Sequence, residues 1–274
     1  MPAGRGRELG GRADGGGAPG VAPGPGSAAA GSASAEAVRA ALAAHADPAD
    51  AEGLRRFFKT GPGEYGEGDV FIGVRVPATR AVAKDFAELP LHQVEELLAS
   101  PVHEERLAAL FILNRRFELA ARPRTRDEET QRAIVELYLA AVRGGRVNNW
   151  DLVDASAEYI TGRWLLDRPR DPLFELAAAD SLWERRVALL STFAFIKAGD
   201  PGTTLELVER LLPDRRDLLQ KAAGWMLREV GKRVDRAVLT AFLDTHAAAM
   251  GRTALSYATE HLDPVERARY RALR

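Results

Sequence analysis

His103-Glu104-Glu105-Arg106-Leu107-Ala108-Ala109-Leu110 and Trp183-Glu184-Arg185-Arg186-Val187-Ala188-Leu189-Leu190 are one helical phrase written twice, with Arg106 and Arg186 in equivalent positions 80 residues apart. That distance is two steps of about 40, the period of stacked helix pairs. Asn149-Trp150 falls near the midpoint. A shorter step leads from Arg186 to Lys221 in Leu219-Gln220-Lys221-Ala222-Ala223-Gly224-Trp225, again a cation ahead of an alanine. Outward from these segments, apolar residues recur at spacings of three and four with proline or glycine in the gaps, and no alternating strand is found. The pattern predicts helices over 35–45, 48–59, 77–87, 91–99, 102–120, 128–142, 149–166, 171–178, 181–198, 202–212, 215–232, 235–248, 250–261 and 264–273. Asp47-Pro48, Ser100-Pro101 and Asp263-Pro264 each set a capping side chain before a proline at the first helical position. The expected fold is all-α, a HEAT-like helical-repeat solenoid. The second helix of each pair lines its concave side, so the helices bearing Arg106, Trp150, Arg186 and Trp225 share one groove.

Residues 1–34 are rich in glycine, alanine and proline with almost no large apolar side chain, so they read as a disordered tail before a single domain over 35–274. The chain has 274 residues and a net charge of −1; the tail carries Arg5, Arg7 and Arg12 against Glu8 and Asp14, which leaves the body at −2. That balance argues mildly against nucleic acid unless the cations segregate to one face. With 0 cysteines, disulfides, thiolate metal sites and cysteine nucleophiles are excluded. No apolar run has the length of a membrane span or the form of a secretory signal, so a cytoplasmic, membrane-free protein is expected.

Val147-Asn148-Asn149-Trp150-Asp151-Leu152-Val153-Asp154 opens a helix with amide side chains at its cap and two carboxylates in its first turns. At about 100° per residue, Asp154 lies some 40° from Trp150 on the same face, whereas Asp151 is turned about 100° away and is assigned to the helix N-terminus. Trp150 with Asp154 is either a rim indole beside a solvated acid or part of a site. Gly224 beside Trp225 either serves close helix packing or clears an approach to the indole. Gly61-Pro62-Gly63-Glu64-Tyr65-Gly66 matches the bare string of a dinucleotide-binding turn but follows a helix and contains a proline, so it is read as a loop. The five histidines show no metal-ligand spacing and no nucleophile elbow is present, so neither metal nor cofactor is expected.

Asn149-Trp150-Asp151-Leu152-Val153-Asp154, Trp183-Glu184-Arg185-Arg186-Val187-Ala188 and Gln220-Lys221-Ala222-Ala223-Gly224-Trp225-Met226-Leu227-Arg228-Glu229 resemble, in order and spacing, the motifs of the DNA alkylation repair family, the AlkD type of HEAT-like-repeat DNA glycosylase. Phe71-Ile72-Gly73-Val74-Arg75-Val76-Pro77 resembles that family's lead-in, and the likeness runs from about residue 40 to 262. The resemblance implies a catalytic set of Asp154, Arg186, Trp150 and Trp225, acting on N3- or N7-alkylated purines in duplex DNA without base flipping. Asp154 would stabilise an oxocarbenium-like sugar and position water, the indoles would pack on the sugar, and Arg186 would hold a flanking phosphate. Ser256 stands where an arginine is common in this frame. Candidate DNA contacts are Arg143, Arg146, Asn149, Arg185, Lys197, Lys221, Arg228 and Lys232, with Arg233 beside them. Lys197 is the amine to check for lyase chemistry, and hydrolysis without strand cleavage is preferred. The expected protein is a monomeric, monofunctional alkylpurine DNA glycosylase. The alternative is a non-catalytic HEAT-like module that binds DNA structures or a protein partner.

Overall fold

The computed structural model describes residues 34–273, so the tail expected over 1–34 lies, but for Ser34, outside the described residues. In chain order the elements are α1 (Ala35–Ala43), α2 (Pro48–Phe57), α3 (Val76–Asp85), α4 (Leu91–Leu98), α5 (His103–Ala121), a 3-10 turn (Pro123–Thr125), α6 (Glu128–Arg143), α7 (Trp150–Asp154), a π turn (Glu158–Gly162), α8 (Asp171–Ala178), α9 (Leu182–Ser191), α10 (Phe193–Lys197), α11 (Gly202–Leu211), α12 (Asp217–Arg233), α13 (Arg236–His246), α14 (Arg252–Ala258) and α15 (Pro264–Ala272). All of them are helical. They form two rows, as a helical-repeat solenoid requires. One row runs α3, α5, α7 with the π turn, α9, α12 and α14, each packed on the next; α4 and α6 pack on each other in the other row, as do α8 and α11. Twelve of the fourteen expected helices are present as single helices and two are broken, and no described helix is long and apolar enough to cross a membrane.

α5 is packed by α3, α4, α6, α7 and the π turn, which explains why its first eleven residues are all buried and why its apolar residues show almost no preferred face. Its Glu104 pins the preceding segment: Glu104 Oε1 accepts from the amides of Ile72, Gly73 and Val74 at 3.2, 2.9 and 3.2 Å. Gly73 must be glycine, because its φ is +85° and a Cβ there would lie 1.9 Å from the carbonyl oxygen of Asp47.

Three local expectations are corrected. Ser100-Pro101 does not cap α5. Val70 and Val102 form a parallel bridge, with His103 N donating to Val70 O at 2.8 Å, which holds this stretch extended; Ser100 Oγ accepts from Val102 N instead, and the helix begins at His103. The single helix expected over 149–166 is broken into α7 and the π turn. Ser156 Oγ donates to Leu152 O at 2.6 Å, a side-chain bond that competes with the helical ladder, and Gly162 N then reaches back five residues to Ala157 O at 2.9 Å. The helix expected over 181–198 divides at Thr192, whose hydroxyl donates to Leu189 O at 2.7 Å. Asp47 and Asp263 cap as expected, each accepting from two first-turn amides.

Candidate active site

α7 is only five residues long, and its position is fixed by what lies beneath it. Asn149 caps it, with Oδ1 accepting from Trp150 N at 2.8 Å while Nδ2 donates to Asp69 Oδ2 at 3.0 Å. Asp69 also accepts from Arg106 Nη2 at 2.6 Å, and Arg106 Nη1 donates to Asn148 Oδ1 at 2.6 Å. His103 closes the network: Nδ1 meets Asp69 Oδ2 at 3.1 Å and Nε2 meets Asp151 Oδ2 at 2.8 Å. Burial opposes charge on this imidazole, but hydrogen bonds to Asp151 and Asp69 and the charge of both carboxylates outweigh it, so its pKa is raised. Burial likewise opposes the Asp69 carboxylate, and His103, Arg106 and Asn149 together hold it at about 2. The arrangement is an imidazolium between two carboxylates, one of them also held by a guanidinium.

An aromatic column rises from this network to the surface. His103 stacks on Phe71 with ring centroids 4.6 Å apart, Phe71 on Phe58 at 5.1 Å, and Phe58 on Trp150 at 5.3 Å. Phe57 meets the same indole edge-on at 6.0 Å. Trp150 is thereby clamped from one side, and its other side is left to a hollow of ≈ 380 Å³ bounded also by Tyr65, Asp154, Arg186, Lys221, Trp225 and Tyr257. Trp225 is steadied by Phe193 at 5.9 Å. The hollow draws its walls from α7, α9, α12 and α14, members of one row, and from Phe57 at the end of α2 and Tyr65 in the loop beyond it.

Asp154 and Arg186 form its polar floor. Arg186 Nε donates to Asp154 Oδ1 at 2.9 Å and Nη2 to Oδ2 at 2.8 Å, the forked pairing in which a guanidinium matches a carboxylate. Nη1 donates to Leu218 O at 2.5 Å, which ties α9 to α12. Burial pushes the Asp154 carboxyl up, the adjacent guanidinium pulls it down, Asp151 adds to the rise, and the net direction is upward. The result is an anion that is oriented, paired and only partly solvated.

Trp150, Asp154, Arg186 and Trp225 are thus brought together. The expected DNA contacts fare differently. Lys221 lines the hollow, paired with Asp217 at 2.8 Å. Lys232 is exposed on α12. Lys197 is held by Glu158 at 2.5 Å and lies over the Phe193 ring. Arg228 pairs with Glu260 and Glu229, and Arg233 with Glu229. Asn149 is corrected: it is fully buried, because its amide is consumed in capping α7 and binding Asp69. Arg185 is corrected too. It donates to Ala179 O and to Asp214, and it faces a cleft bordered by α8 and α11 in the other row. Arg143, at the end of α6, reaches Glu175 on α8, while Arg146 in the following loop bonds Ala99 O. Arg186, expected on a flanking phosphate, directs its bonds to Asp154 and Leu218 instead. Arg106 is interior rather than on the inner face, and Asp151 serves both its own helix, accepting from Leu152 N at 2.9 Å, and His103.

Gly224 serves helix packing: a Cβ there would meet Ala254 O of α14 at 2.4 Å. Phe57, Tyr65 and Tyr257 also line the hollow, and sequence reasoning missed them. The loop bearing Tyr65 is shaped by Lys59 at φ 53° and by Gly66, whose N bonds Lys59 O at 3.1 Å. An aromatic side chain among turn-forming glycines was the signal that could have found it.

Among solved structures, a predicted DNA alkylation repair enzyme from Enterococcus faecalis is similar to the chain, with a TM-score of 0.61 at 18% sequence identity over 80% of this chain and 98% of that one. At that identity the likeness concerns the fold. No curated protein sequence matches. The family model described as DNA alkylation repair enzyme matches residues 38–262, nearly the whole of the described chain. The chain belongs to the DNA alkylation repair enzyme family.

Proposed function

We propose that the protein is a monofunctional DNA glycosylase that hydrolyses the N-glycosidic bond of cationic N3- or N7-alkylated purines in duplex DNA, without drawing the base into a pocket. The observation that carries this is Asp154, held by a forked guanidinium on the floor of a hollow flanked by Trp150 and Trp225. An alkylated purine already bears positive charge. Its C1′–N bond can break with the electron pair passing to the base, which leaves neutral, so no acid is needed to protonate the leaving group. Ordinary glycoside hydrolysis uses a pair of carboxyl groups for this purpose. Here one carboxylate lines the hollow.

Positive charge then develops on the sugar. Asp154 faces it as a fixed anion, and the indole faces add their own attraction for a cation. Water adds to C1′ and passes its proton to Asp154, a transfer eased by the upward shift of that carboxyl. Arg186 acts as a positioning residue: it keeps Asp154 ionised and aimed. The hollow is open on one side, which suits a nucleotide that stays in the duplex. Lys221 and Lys232 supply backbone contacts from α12. Lys197 Nζ is held by Glu158 and lies over the Phe193 ring rather than in the hollow, so hydrolysis proceeds without strand cleavage.

The test is release of 7-methylguanine from methylated duplex DNA by the wild type and by Asp154→Asn. We expect release by the first and a loss of about 10²–10³ in the second, the range for removal of one preorganised stabiliser. Equal release by both overturns the role of Asp154. Release by neither, with DNA still bound, would make the protein a binding module.

A further inference from the structure

Many cations among the described residues are paired with carboxylates; of those that are not, three gather at one place. Arg80 and Lys84, one turn apart on α3, and Arg163 just after the π turn are exposed and have no carboxylate within ion-pairing reach among the described residues. All three border one open cleft of ≈ 500 Å³, together with Arg115 and Glu118. Glu118 is engaged by Arg115 at 3.3 Å and Arg122 at 2.8 Å, so it does not neutralise the other three.

Like charges gathered without counter-charge work against the folded state and are retained where they meet an anion. The two guanidiniums are also held ready. Arg80 lies over the Phe111 ring, 4.3 Å from its centroid, and Arg163 over the Tyr159 ring at 5.3 Å, so each loses less side-chain freedom when a ligand arrives. The cleft adjoins the proposed catalytic hollow. Ala155, which follows Asp154 directly, is part of its wall, and Asn114 Nδ2 donates to Ala155 O at 2.7 Å. Its walls come from α3, α5 and the π turn, neighbours of α7 in the same row.

We infer that this cleft is a second nucleic-acid site, in which Arg80, Lys84 and Arg163 take the phosphodiester backbone of the duplex to one side of the nucleotide that faces Asp154. The inference rests on the DNA-directed function proposed above. Specific readout of bases is not expected from it, since unforked contacts from exposed cations position a duplex without reading it.

The experiment is fluorescence anisotropy of an undamaged duplex against the full chain over a series of salt concentrations. The variants are Arg80→Ala/Lys84→Ala/Arg163→Ala and, as a control of equal charge, Arg124→Ala/Arg126→Ala/Arg132→Ala on the 3-10 turn, the loop after it and α6. Removing one cation from a phosphate flattens the log–log salt slope by about 0.9, so the cleft variant should show a slope shallower by about 2–3 and the control a change of much less than about one. Thermal unfolding of the cleft variant should be unchanged or raised, because self-repulsion is relieved. Equal flattening in both variants overturns the site in favour of bulk charge. A wild-type slope in the cleft variant overturns the site and leaves the proposed function standing. No binding by the wild type overturns both, and Asp154→Asn with a wild-type slope but no excision separates binding from chemistry.

Discussion

Replacing His103 by glutamine strikes the network under α7 at its centre. The imidazolium donates to two carboxylates, Asp151 at 2.8 Å and Asp69 at 3.1 Å, whereas a glutamine amide can donate toward one and presents its oxygen to the other. A hydrogen bond to a charged group contributes about 1.5–3 kcal/mol, and breaking a buried ion pair from one side costs about 3–5 kcal/mol. Arg106 and Asn149 remain on Asp69, so we place the loss at the lower end, about 3 kcal/mol at pH 6. For a domain of this size that is a fall in Tm of about 6–12 °C. The pH dependence is the sharper part. His103 is raised in the folded protein, so its stabilisation is complete below the ordinary histidine value of 6.5 and is lost as pH rises through the folded value. The gap between wild type and His103→Gln should therefore be full at pH 6 and narrow on the alkaline side. Urea unfolding followed by tryptophan fluorescence measures it, helped by Trp150 standing at the top of the same aromatic column. A gap of under about 1 kcal/mol at pH 6, or one unchanged at alkaline pH, would refute the imidazolium clamp.

Asp154 must be ionised to act, and its carboxyl is raised by burial, so excision should fall as pH drops through a limb displaced above the usual carboxylate range; single-turnover rates against pH will show it. Arg186→Ala leaves that carboxylate without its counter-charge, and the acid limb should move further up while the rate falls about 10²–10³-fold; an unshifted limb would remove Arg186 from its positioning role. Gly224→Ala forces α12 and α14 apart, since the new methyl would sit 2.6 Å from Tyr257 Cβ, and calorimetry should register a loss of about 1–3 kcal/mol. Gly53→Ala, in α2 with nothing within 4 Å of the added carbon, should do the reverse and stabilise by about 0.5–1 kcal/mol.

Most of the helices were legible in the sequence because they repeat the same pattern, a buried stripe, a polar stripe, and a proline or glycine before the next, whereas α5, buried over its first eleven residues, shows no such stripe. Breaks at Ser156 and Thr192 were not legible, because a hydroxyl bonding back into its own helix leaves the apolar period untouched. Trp150 and Asp154 could be placed on one face from angular spacing alone, and Arg186 and Trp225 followed from the internal period and the family motifs. The cations were harder. Helical spacing does not say which row a residue faces or which carboxylate waits for it, so Arg185, bound to Asp214, looked equivalent to Arg186, bound to Asp154. Asp69, His103 and Asp151 meet across separations of 34 and 48 residues through a loop whose path no local pattern dictates.

The pairing of Asp154 with a residue 32 positions later has a consequence for the order in which the protein matures on the ribosome. A nascent chain that has emerged only through α7 can already seat that helix on His103 and Asp69, yet its acid has no guanidinium and no second indole. Arming waits for α9 and then for α12. Fragments that end before Trp225 lack one wall of the hollow, so the chemistry proposed for Asp154 requires the greater part of the solenoid to have closed.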